Sequence, residues 1–523
     1  MANTNSKAIS PDKFEFVNMN TRLTDVKFDD KPIGYFKDAW IRFRKSKAAV
    51  VATGIILLIF LFSVIAPLFT KNPSTFMDTY YAKKGPYINS LRSAGIANGS
   101  VNRDFSEMGL IAKIAIGIGA EDWEGTGDVT LEQGMASEFQ PMLSISDPYI
   151  QIDAAKKEKK YFHGVIDAYN EVGFIYKSVE QEEYQRMVAW EEETGLHLLY
   201  PLIEDNKYTP DASDANYWFK CKKYQPIYIN EKGKAKNVEY APGMVLEDNY
   251  KRDAEGNAIK WEYTGGGSFE TAHIKVRVLY KNYFIYKNGF EPQYLFGTDS
   301  QGYDLMLRLA GGLRLSLLLA VSVSVINFIL GAFYGSIEGF YGGWVDLLME
   351  RFSDILSGVP FIIVATLFQI HLATKLGAVP CLIFAYVLNG WIGIAYRVRT
   401  QFYRFKKQEF VLASKTLGAR DMRLIWKHIF PNSLGTIVTS TALIIPGVIF
   451  SESMLSYLGI VKLGSATTTS LGTLLSDASA IWTNYPHLMI LPALFISLLM
   501  ISFNLFGNGL RDAFNPSLRN VED

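Results

Sequence analysis

The residues whose types and spacing point most directly to a task lie in one stretch, EFVLASKTLGARDMRLIWKHIFPN, from Glu409 to Asn432. Apolar residues recur in it at helical spacing in two groups: Phe410, Leu412, Ala413 and Leu417, then Met422, Leu424, Ile425 and Ile429. Gly418 lies between the groups, where a residue free to take positive φ lets the chain turn. Pro431 is expected to end the second helix. We refer to residues 409–432 as the elbow.

The elbow is too polar to lie in lipid, although the runs on both sides of it are apolar enough to cross a bilayer. Its polar side chains are Lys415, Arg420, Asp421, Arg423, Lys427 and His428. The pattern predicts a helix, a glycine turn and a second helix on one membrane face, basic in balance. Its chemistry would be docking to another molecule. On spacing alone, an ordinary amphipathic connecting loop fits the pattern equally well.

Motifs for bond-making chemistry are absent from the sequence. It contains no G-x-x-x-x-G-K-[ST] loop to hold ATP phosphates, no H-E-x-x-H and no G-x-S-x-G. His163, His197 and His273 lack ligand spacing and have no cysteine pair nearby. The sequence therefore predicts no catalytic residue, no metal site, no cofactor and no nucleic-acid partner.

The elements that position the elbow are apolar runs at the start and in the last part of the chain. The 523 residues carry no net charge and are 49% hydrophobic. Six runs are long enough to span a hydrocarbon core of ~30 Å. They are Ala48–Phe69, Leu315–Tyr334, Leu356–Ala373, Leu376–Ala395, Ser433–Phe450 and Leu488–Phe506. Cys221 and Cys381 fall in segments of different environment, so no disulfide is predicted.

The spans imply an orientation and a division of the chain. Residues 1–47 are predicted to be a cytoplasmic polar tail ending in a basic amphipathic segment, Tyr35–Lys47, because lysines and arginines favour the inner side of a membrane. Residues 48–70 form the first span, residues 71–290 a domain outside, and residues 291–523 the remaining spans. This places both termini, the connection Glu338–Asp354 and the elbow inside. Ser451–Pro486 is predicted to lie outside and to dip back into the protein.

The outer domain is predicted to be α+β. Its helix candidate is Glu180–Glu193, with Tyr184, Met187, Val188 and Trp190 as a buried stripe. Its clearest strand is Ala272–Tyr280, where apolar side chains alternate with polar or long ones.

The elbow also resembles a loop in the membrane subunits of ATP-binding cassette (ABC) importers, in the form found in oligopeptide and dipeptide importers. The matching positions are Glu409, Ala413, Ser414, Gly418 and Pro431, with Ser414 where alanine is usual. In that family the loop docks in a groove of the ATPase subunit. The resemblance implies an ATPase-coupling loop within residues 397–432, formed by Glu409, Ala413, Ser414, Gly418, Ala419, Arg420 and Pro431.

Three further segments carry the same resemblance, to the C-type subunit of peptide importers. One includes Gly297, Thr298, Asp299, Gly302, Asp304, Arg308, Gly311, Arg314 and Ser316, where helix capping and interfacial anchoring are the favoured roles. The others are Tyr341–Asp346 and Phe503–Pro516. The resemblance covers about residues 35–70 and 290–520 and leaves out the outer domain. It implies a polytopic α-helical type I permease fold of about six helices, with a large α+β insertion between the first and second helices.

A permease subunit for oligopeptides or dipeptides is the function that the resemblance implies. Its partners would be a second homologous permease, two cytoplasmic ATPases, a lipid-anchored or periplasmic substrate-binding protein and membrane lipid, in a bacterial plasma membrane. The near absence of charged residues at the centres of the predicted spans agrees with energy supplied from outside the bilayer. The outer domain would dock the binding protein or shape the entrance, or else decorate the surface.

Alternatives remain open at this point. The same importer class could carry nickel chelates or oligosaccharides. The chain could be a membrane-anchored receptor or assembly protein that works through its outer domain. An ion-coupled secondary transporter would be recognised by uptake that collapses with the proton or sodium gradient while ATP is maintained.

Overall fold

A computed structural model describes residues 34–92, 94–152, 158–265, 273–464 and 469–514 of the chain. The predicted tail 1–33 and the end of the Phe503–Pro516 segment lie outside these ranges. In the described parts, five helices are long and apolar enough to cross a membrane, and a bent pair makes up to six. The chain is an integral membrane protein.

The helices of the membrane part come first and last in the chain. The first two are α1 (Tyr35–Lys45) and α2 (Lys47–Ile65). The later ones are α8 (Leu305–Tyr341), α9 (Gly343–Ser357), α10 (Phe361–Leu376), α11 (Ala378–Gly390), α12 (Ile392–Phe405), α13 (Glu409–Thr416), α14 (Asp421–Arg423), α15 (Phe430–Ala442), α16 (Ile444–Tyr457), α17 (Leu471–Ala478) and α18 (His487–Phe514). All six predicted spans overlap these helices. Exposed leucines, valines and phenylalanines along α2 are typical of a lipid-facing surface.

Helix α8 packs against α12 through a stripe of glycines one helical turn apart. A Cβ atom added to Gly331 would lie 2.7 Å from the carbonyl oxygen of Trp391, and one added to Gly335 would lie 2.2 Å from that of Ala395. A Cβ at Gly339 would lie 2.6 Å from Cβ of Phe402. Small residues let helix backbones approach closely in membranes. The α8–α12 pair is therefore a close backbone contact that larger side chains would prevent.

Helix α8 begins where the sequence predicts a cap. The carboxylate of Asp304 accepts a hydrogen bond from the backbone N–H of Met306 at 2.9 Å. The Nε atom of Arg308 donates to the Asp299 carboxylate at 3.0 Å, and both side chains are buried, so Arg308 holds the start of α8 through an ion pair within the protein. Removing either partner would leave an uncompensated buried charge.

Two predicted boundaries in the membrane part are wrong. The connection Glu338–Asp354 is not a loop, because α8 runs to Tyr341 and α9 starts at Gly343, after a turn through Gly342 at φ +66°. The predicted third span crosses a 68° bend between α9 and α10, where Pro360 precedes the second helix.

Residues Ser451–Tyr457 belong to α16, so the segment predicted to lie outside starts within a long helix. Glu452, which follows the predicted span Ser433–Phe450 by two residues, is fully buried in this helix. Its carboxylate accepts hydrogen bonds from the hydroxyls of Ser316 at 2.8 Å and Ser456 at 3.1 Å, and Ser453 and Ser470 lie at the same group. Hydroxyl donors thus satisfy a buried acceptor without a salt bridge.

The outer domain is α+β, as the sequence predicts. Its helices are α3 (Asn89–Arg92), α4 (Glu107–Glu121), α5 (Leu131–Ala136), α6 (Gln181–Thr194) and α7 (Tyr280–Asn288). Its strands are β1 (Ser100–Ser106), β2 (Met142–Ile145), β3 (Tyr149–Ile152), β4 (Glu158–Asp167), β5 (Phe174–Glu180), β6 (Leu199–Tyr200), β7 (Cys221–Lys222), β8 (Gln225–Ile229), β9 (Ala235–Asn237), β10 (Trp261–Gly265) and β11 (His273–Leu279).

The described strands of the outer domain form three antiparallel sheets around apolar cores. In one, β4 pairs with β1, β2 and β3; in another, β11 pairs with β5, β6 and β10; and β7, β8 and β9 form the third. The predicted helix and strand are confirmed as α6 and β11, and Met187 of the predicted stripe is fully buried. Ala272 lies outside the described residues.

Three basic side chains lie near one carboxylate, that of Glu171, in the outer domain. Glu171 lies 2.8 Å from Arg103, 3.1 Å from Lys113 and 3.9 Å from Lys84. Burial raises the pKa of the Glu171 carboxyl, but Lys113, Lys84 and Arg103 outweigh burial and hold that pKa below its usual value.

Candidate docking site

The first arm of the elbow is a short helix that follows α12 after a brief break. Gln408 is extended, and α13 begins at Glu409, whose carboxylate at the helix start is favoured by the helix dipole. Val411 is buried, whereas Phe410 and Leu412 are exposed. The hydroxyl of Ser414 donates to the carbonyl oxygen of Phe410 at 2.8 Å, so this serine is bonded within its own helix.

The turn of the elbow is a Schellman motif, in which a left-handed residue closes the end of a helix. Gly418 has φ +83°, and its N–H donates to the carbonyl oxygen of Lys415 at 3.0 Å. The N–H of Ala419 reaches back to Ser414 at 3.1 Å. These two bonds satisfy carbonyl groups that the helix leaves free and fix the direction of the chain. The prediction that Gly418 turns the chain is confirmed.

The second arm starts at an extended Arg420 and continues through α14 into a π-helical segment, Leu424–Ile429. Pro431 does not end this helix, contrary to prediction, because the helix runs on through α15 and α16. The π turn directly precedes the proline, and the side chain of Asn432 donates to the carbonyl oxygen of His428 at 2.7 Å. The hydroxyl of Ser433 also lies 3.2 Å from the carbonyl oxygen of Ile429, so side chains satisfy backbone groups near the proline.

The two arms are held together by an apolar cluster shared with α12. Its buried members are Ile394, Val398, Phe402, Val411, Leu424, Ile425, Ile429 and Ile437. Only part of the predicted apolar pattern is therefore an inner face. Leu417, at the tip, is 88% exposed, and Met422 is 55% exposed. Phe410 and Leu412 are exposed in the same short segment, and a concentration of exposed apolar side chains is typical of a surface that contacts a partner.

Basic residues are concentrated in the same segment as this exposed tip. Lys415, Arg420, Arg423 and Lys427 are exposed, against the carboxylates of Glu409 and Asp421. Hydrogen bonds bring Ser414, Gly418 and Ala419 together at the turn, and Glu409 and Ala413 lie exposed on α13. Pro431 lies at the far end of the second arm. The arrangement can present an apolar tip with a basic rim to an acidic-rimmed groove.

Sequence reasoning missed a charged cluster behind the elbow. The guanidinium of Arg399 on α12 contacts Asp346, Glu350 and Glu338. The three carboxylates lie 49 to 61 positions away in sequence, so local patterns carry no signal for these contacts.

Comparisons with known proteins match both ends of the chain. The family model for the binding-protein-dependent transport system inner membrane component matches residues 327–520. The model for the N-terminal TM domain of oligopeptide transport permease C matches residues 34–86. Much of the outer domain falls between these two ranges.

Relatives of similar description share about two fifths of their aligned residues with this chain. It is 42% identical over 224 residues to the oligopeptide transport system permease protein OppC of Bacillus subtilis, covering 43% of this chain and 72% of that protein. It is 40% identical over 225 residues to the dipeptide transport system permease protein DppC of the same species, covering 43% and 69%. A solved methionine ABC transporter, MetNI, is 16% identical and covers 40% of this chain and 98% of its own, with a TM-score of 0.34.

Proposed function

This chain belongs to the family of binding-protein-dependent transport system inner membrane components, and from that premise we propose that it is the permease subunit of an ABC importer for oligopeptides or dipeptides. The relatives described as oligopeptide and dipeptide permeases support peptide cargo over nickel chelates or oligosaccharides. A second homologous permease would complete the pathway, two cytoplasmic ATPases would drive it, and a lipid-anchored or periplasmic binding protein would deliver the peptide.

The observation that carries this proposal is the elbow, with its exposed Leu417 at the apex of a fixed turn. Burying such a side chain in a groove of an ATPase would contribute about 1.5–3 kcal/mol of hydrophobic free energy. The basic rim would add electrostatic steering. Because the turn is already closed by hydrogen bonds, docking would cost little conformational entropy. Movement of the docked ATPase would then be passed to the helices that carry the two arms.

The proposal also includes an orientation. Arg42, Arg44 and Lys45 precede the first span, and the elbow is basic, which favours the cytoplasmic side for both. Counting the bent pair α9–α10 as one span gives six crossings. The termini would then both be cytoplasmic, and residues 71–290 would lie outside.

Copurification tests the proposal. The tagged chain would be isolated from detergent-solubilised membranes as the native protein, as Leu417→Asp and as Val245→Asp, an equally drastic change at an exposed outer-domain residue. We expect the native chain and Val245→Asp to bring down a second permease and two ATPases, and Leu417→Asp to lose only the ATPases. Absence of ATPases from the native sample would overturn the importer assignment, and their retention by Leu417→Asp would overturn the role of the elbow.

We further propose that the outer domain receives the substrate-binding protein at the entrance of the pathway. The segment after the first span pairs with the segment before α8, since Met77 bridges Tyr303 and Tyr87 bridges Tyr294. Gly302, at φ +96°, has no room for a Cβ, which would lie 1.9 Å from the carbonyl oxygen of Asp78. These contacts hold the domain against the start of α8.

Deletion tests this second proposal. Because Tyr87 and Tyr294 are paired, residues 90–290 can be replaced by a short glycine–serine linker that keeps the paired segments. Loss of binding-protein association with retained ATPase association is the expected result. Unchanged binding-protein association and peptide uptake would show that the domain is a surface decoration.

A further inference from the structure

A charged cluster joins three helices directly behind the elbow. The Arg399 guanidinium on α12 is 16% exposed and binds the Asp346 carboxylate through Nε at 2.6 Å and Nη2 at 2.8 Å. It also binds Glu350 through Nη1 at 2.9 Å and Nη2 at 3.2 Å. Glu338, near the end of α8, lies 3.6 Å from Nε, and the Tyr403 hydroxyl donates to Asp346 at 2.6 Å. One side chain thus holds α8, α9 and α12 together.

The geometry of this cluster requires an arginine. The guanidinium donates to two carboxylates in a forked arrangement, which the single ammonium of a lysine does not reproduce. Three carboxylates share the site with Arg399 and with Lys406, whose Nζ donates to the carbonyl oxygen of Gly339 at 2.9 Å. Removing the guanidinium would therefore leave mutually repelling carboxylates between the helices.

Close backbone packing makes α8 and α12 move together. The glycines at 331, 335 and 339 place α8 against the backbone of α12. Gly339 lies next to Arg399, since a Cβ added to Gly339 would be 2.9 Å from the Arg399 carbonyl oxygen. The clamp at Arg399 then adds α9, which carries Asp346 and Glu350, to this pair. Without the guanidinium, single hydrogen bonds would remain between α9 and its neighbours, from the Tyr334 hydroxyl of α8 to the Met349 carbonyl oxygen and from the Tyr403 hydroxyl of α12 to Asp346.

Helix α12 also carries the elbow. Val398 immediately precedes Arg399 and Phe402 follows it by three residues, and both belong to the apolar cluster that holds the two arms of the elbow. A displacement of the elbow is thus transmitted to α12 by packing, and from α12 to α8 and α9 by the glycine contact and the Arg399 clamp.

We propose that Arg399 is the positioning residue that makes α8, α9, α12 and the elbow one moving body, so that ATP-driven displacement of the elbow shifts α9 and the bent α10 that follows it. This inference rests on the proposed importer function. Replacing Arg399 should therefore reduce coupling: ATP hydrolysis continues, and less peptide is moved per ATP hydrolysed.

The test compares variants of the complete complex reconstituted in proteoliposomes, with ATP hydrolysis and labelled-peptide uptake measured together. Arg399→Gln removes the clamp, and Arg397→Gln, an exposed arginine on the same helix, is the control. A third variant, Arg399→Gln with Asp346→Asn and Glu350→Gln, removes the clamp and most of the repulsion, so it assembles even if Arg399→Gln does not.

We expect uptake per ATP to fall about 2- to 30-fold in the first and third variants and to stay native in the control. Native coupling in both Arg399 variants would overturn the inference. If the native complex transports no peptide, the proposed importer function is refuted. Hydrogen exchange of the purified chain then tests independently whether Arg399 joins α9 and the elbow into one body. Arg399→Gln should then raise amide exchange in α9 and in the elbow together, whereas a rise confined to α9 would contradict a shared body.

Discussion

Alanine at position 335 should push helices α8 and α12 apart. The added Cβ would lie 2.2 Å from the carbonyl oxygen of Ala395, which is about 1 Å or more short of ordinary van der Waals contact. Neither partner can give way, because the obstructing atoms are backbone at 2.2 and 2.9 Å. Overpacking of this kind costs about 1–3 kcal/mol of unfolding free energy.

Helix propensity acts in the opposite direction and must be measured in the same helix. Alanine is favoured over glycine by about 1 kcal/mol in a helix interior. Gly311 provides the control, since it also lies in α8 and no atom is within 4 Å of its added Cβ. The difference in unfolding free energy between Gly311→Ala and Gly335→Ala isolates the cost of the close approach.

The assay is unfolding of the purified chain in mixed micelles with increasing denaturing detergent, followed by circular dichroism. Gly311→Ala should unfold at or above the native midpoint, and Gly335→Ala should unfold below it. Equal midpoints for the two variants would refute the close contact of α8 with α12 and remove one support for the shared body.

Three further predictions concern the elbow, the buried carboxylate and the outer domain. Gly418→Ala should reduce ATPase copurification, because φ +83° costs a non-glycine residue about 1–2 kcal/mol. An added Cβ meets no atom within 4 Å at either Gly418 or Gly447, so Gly447→Ala, which has no positive φ, is the control and should have no effect. Glu452→Leu should unfold at a lower temperature than Glu452→Gln, which keeps acceptors for the surrounding hydroxyls; equal melting would contradict this. The Glu171 carboxyl has a lowered pKa in the folded state, so its stabilising contribution is present above its unfolded pKa and is lost as pH falls through the folded pKa. Glu171→Gln should therefore show a smaller acid-induced loss of outer-domain stability, measured by thermal melts from pH 6 to pH 3.

Local features of the fold could be read from the sequence because they depend on neighbouring residues. Apolar run length located the membrane helices, and a glycine between two helical periods located the turn at Gly418. Alternation located β11, and the stripe of α6 placed Met187 in the core. The seven residues predicted for the coupling loop lie in the elbow as described, and their role in coupling stays a prediction.

Interactions between distant segments could not be read in this way. The exposed position of Leu417 follows from the direction of the turn, which helical spacing alone does not give. Pro431 continues a helix because a π turn and neighbouring side chains satisfy the backbone around it. Glu452 is tolerated in a buried helix because Ser316, 136 positions earlier, supplies a hydroxyl.

The sequence by itself determined the positions of the membrane helices, the turn at Gly418, helix α6 and strand β11, because hydrophobic period and span length are set within a few residues of each position. Only the tertiary structure decided which charges meet and how closely helices approach. Arg399 and Asp346 are 53 positions apart, and the glycines of α8 serve a purpose only because α12 lies against them. Such contacts depend on the relative placement of whole helices, which packing of their surfaces establishes after the local elements have formed.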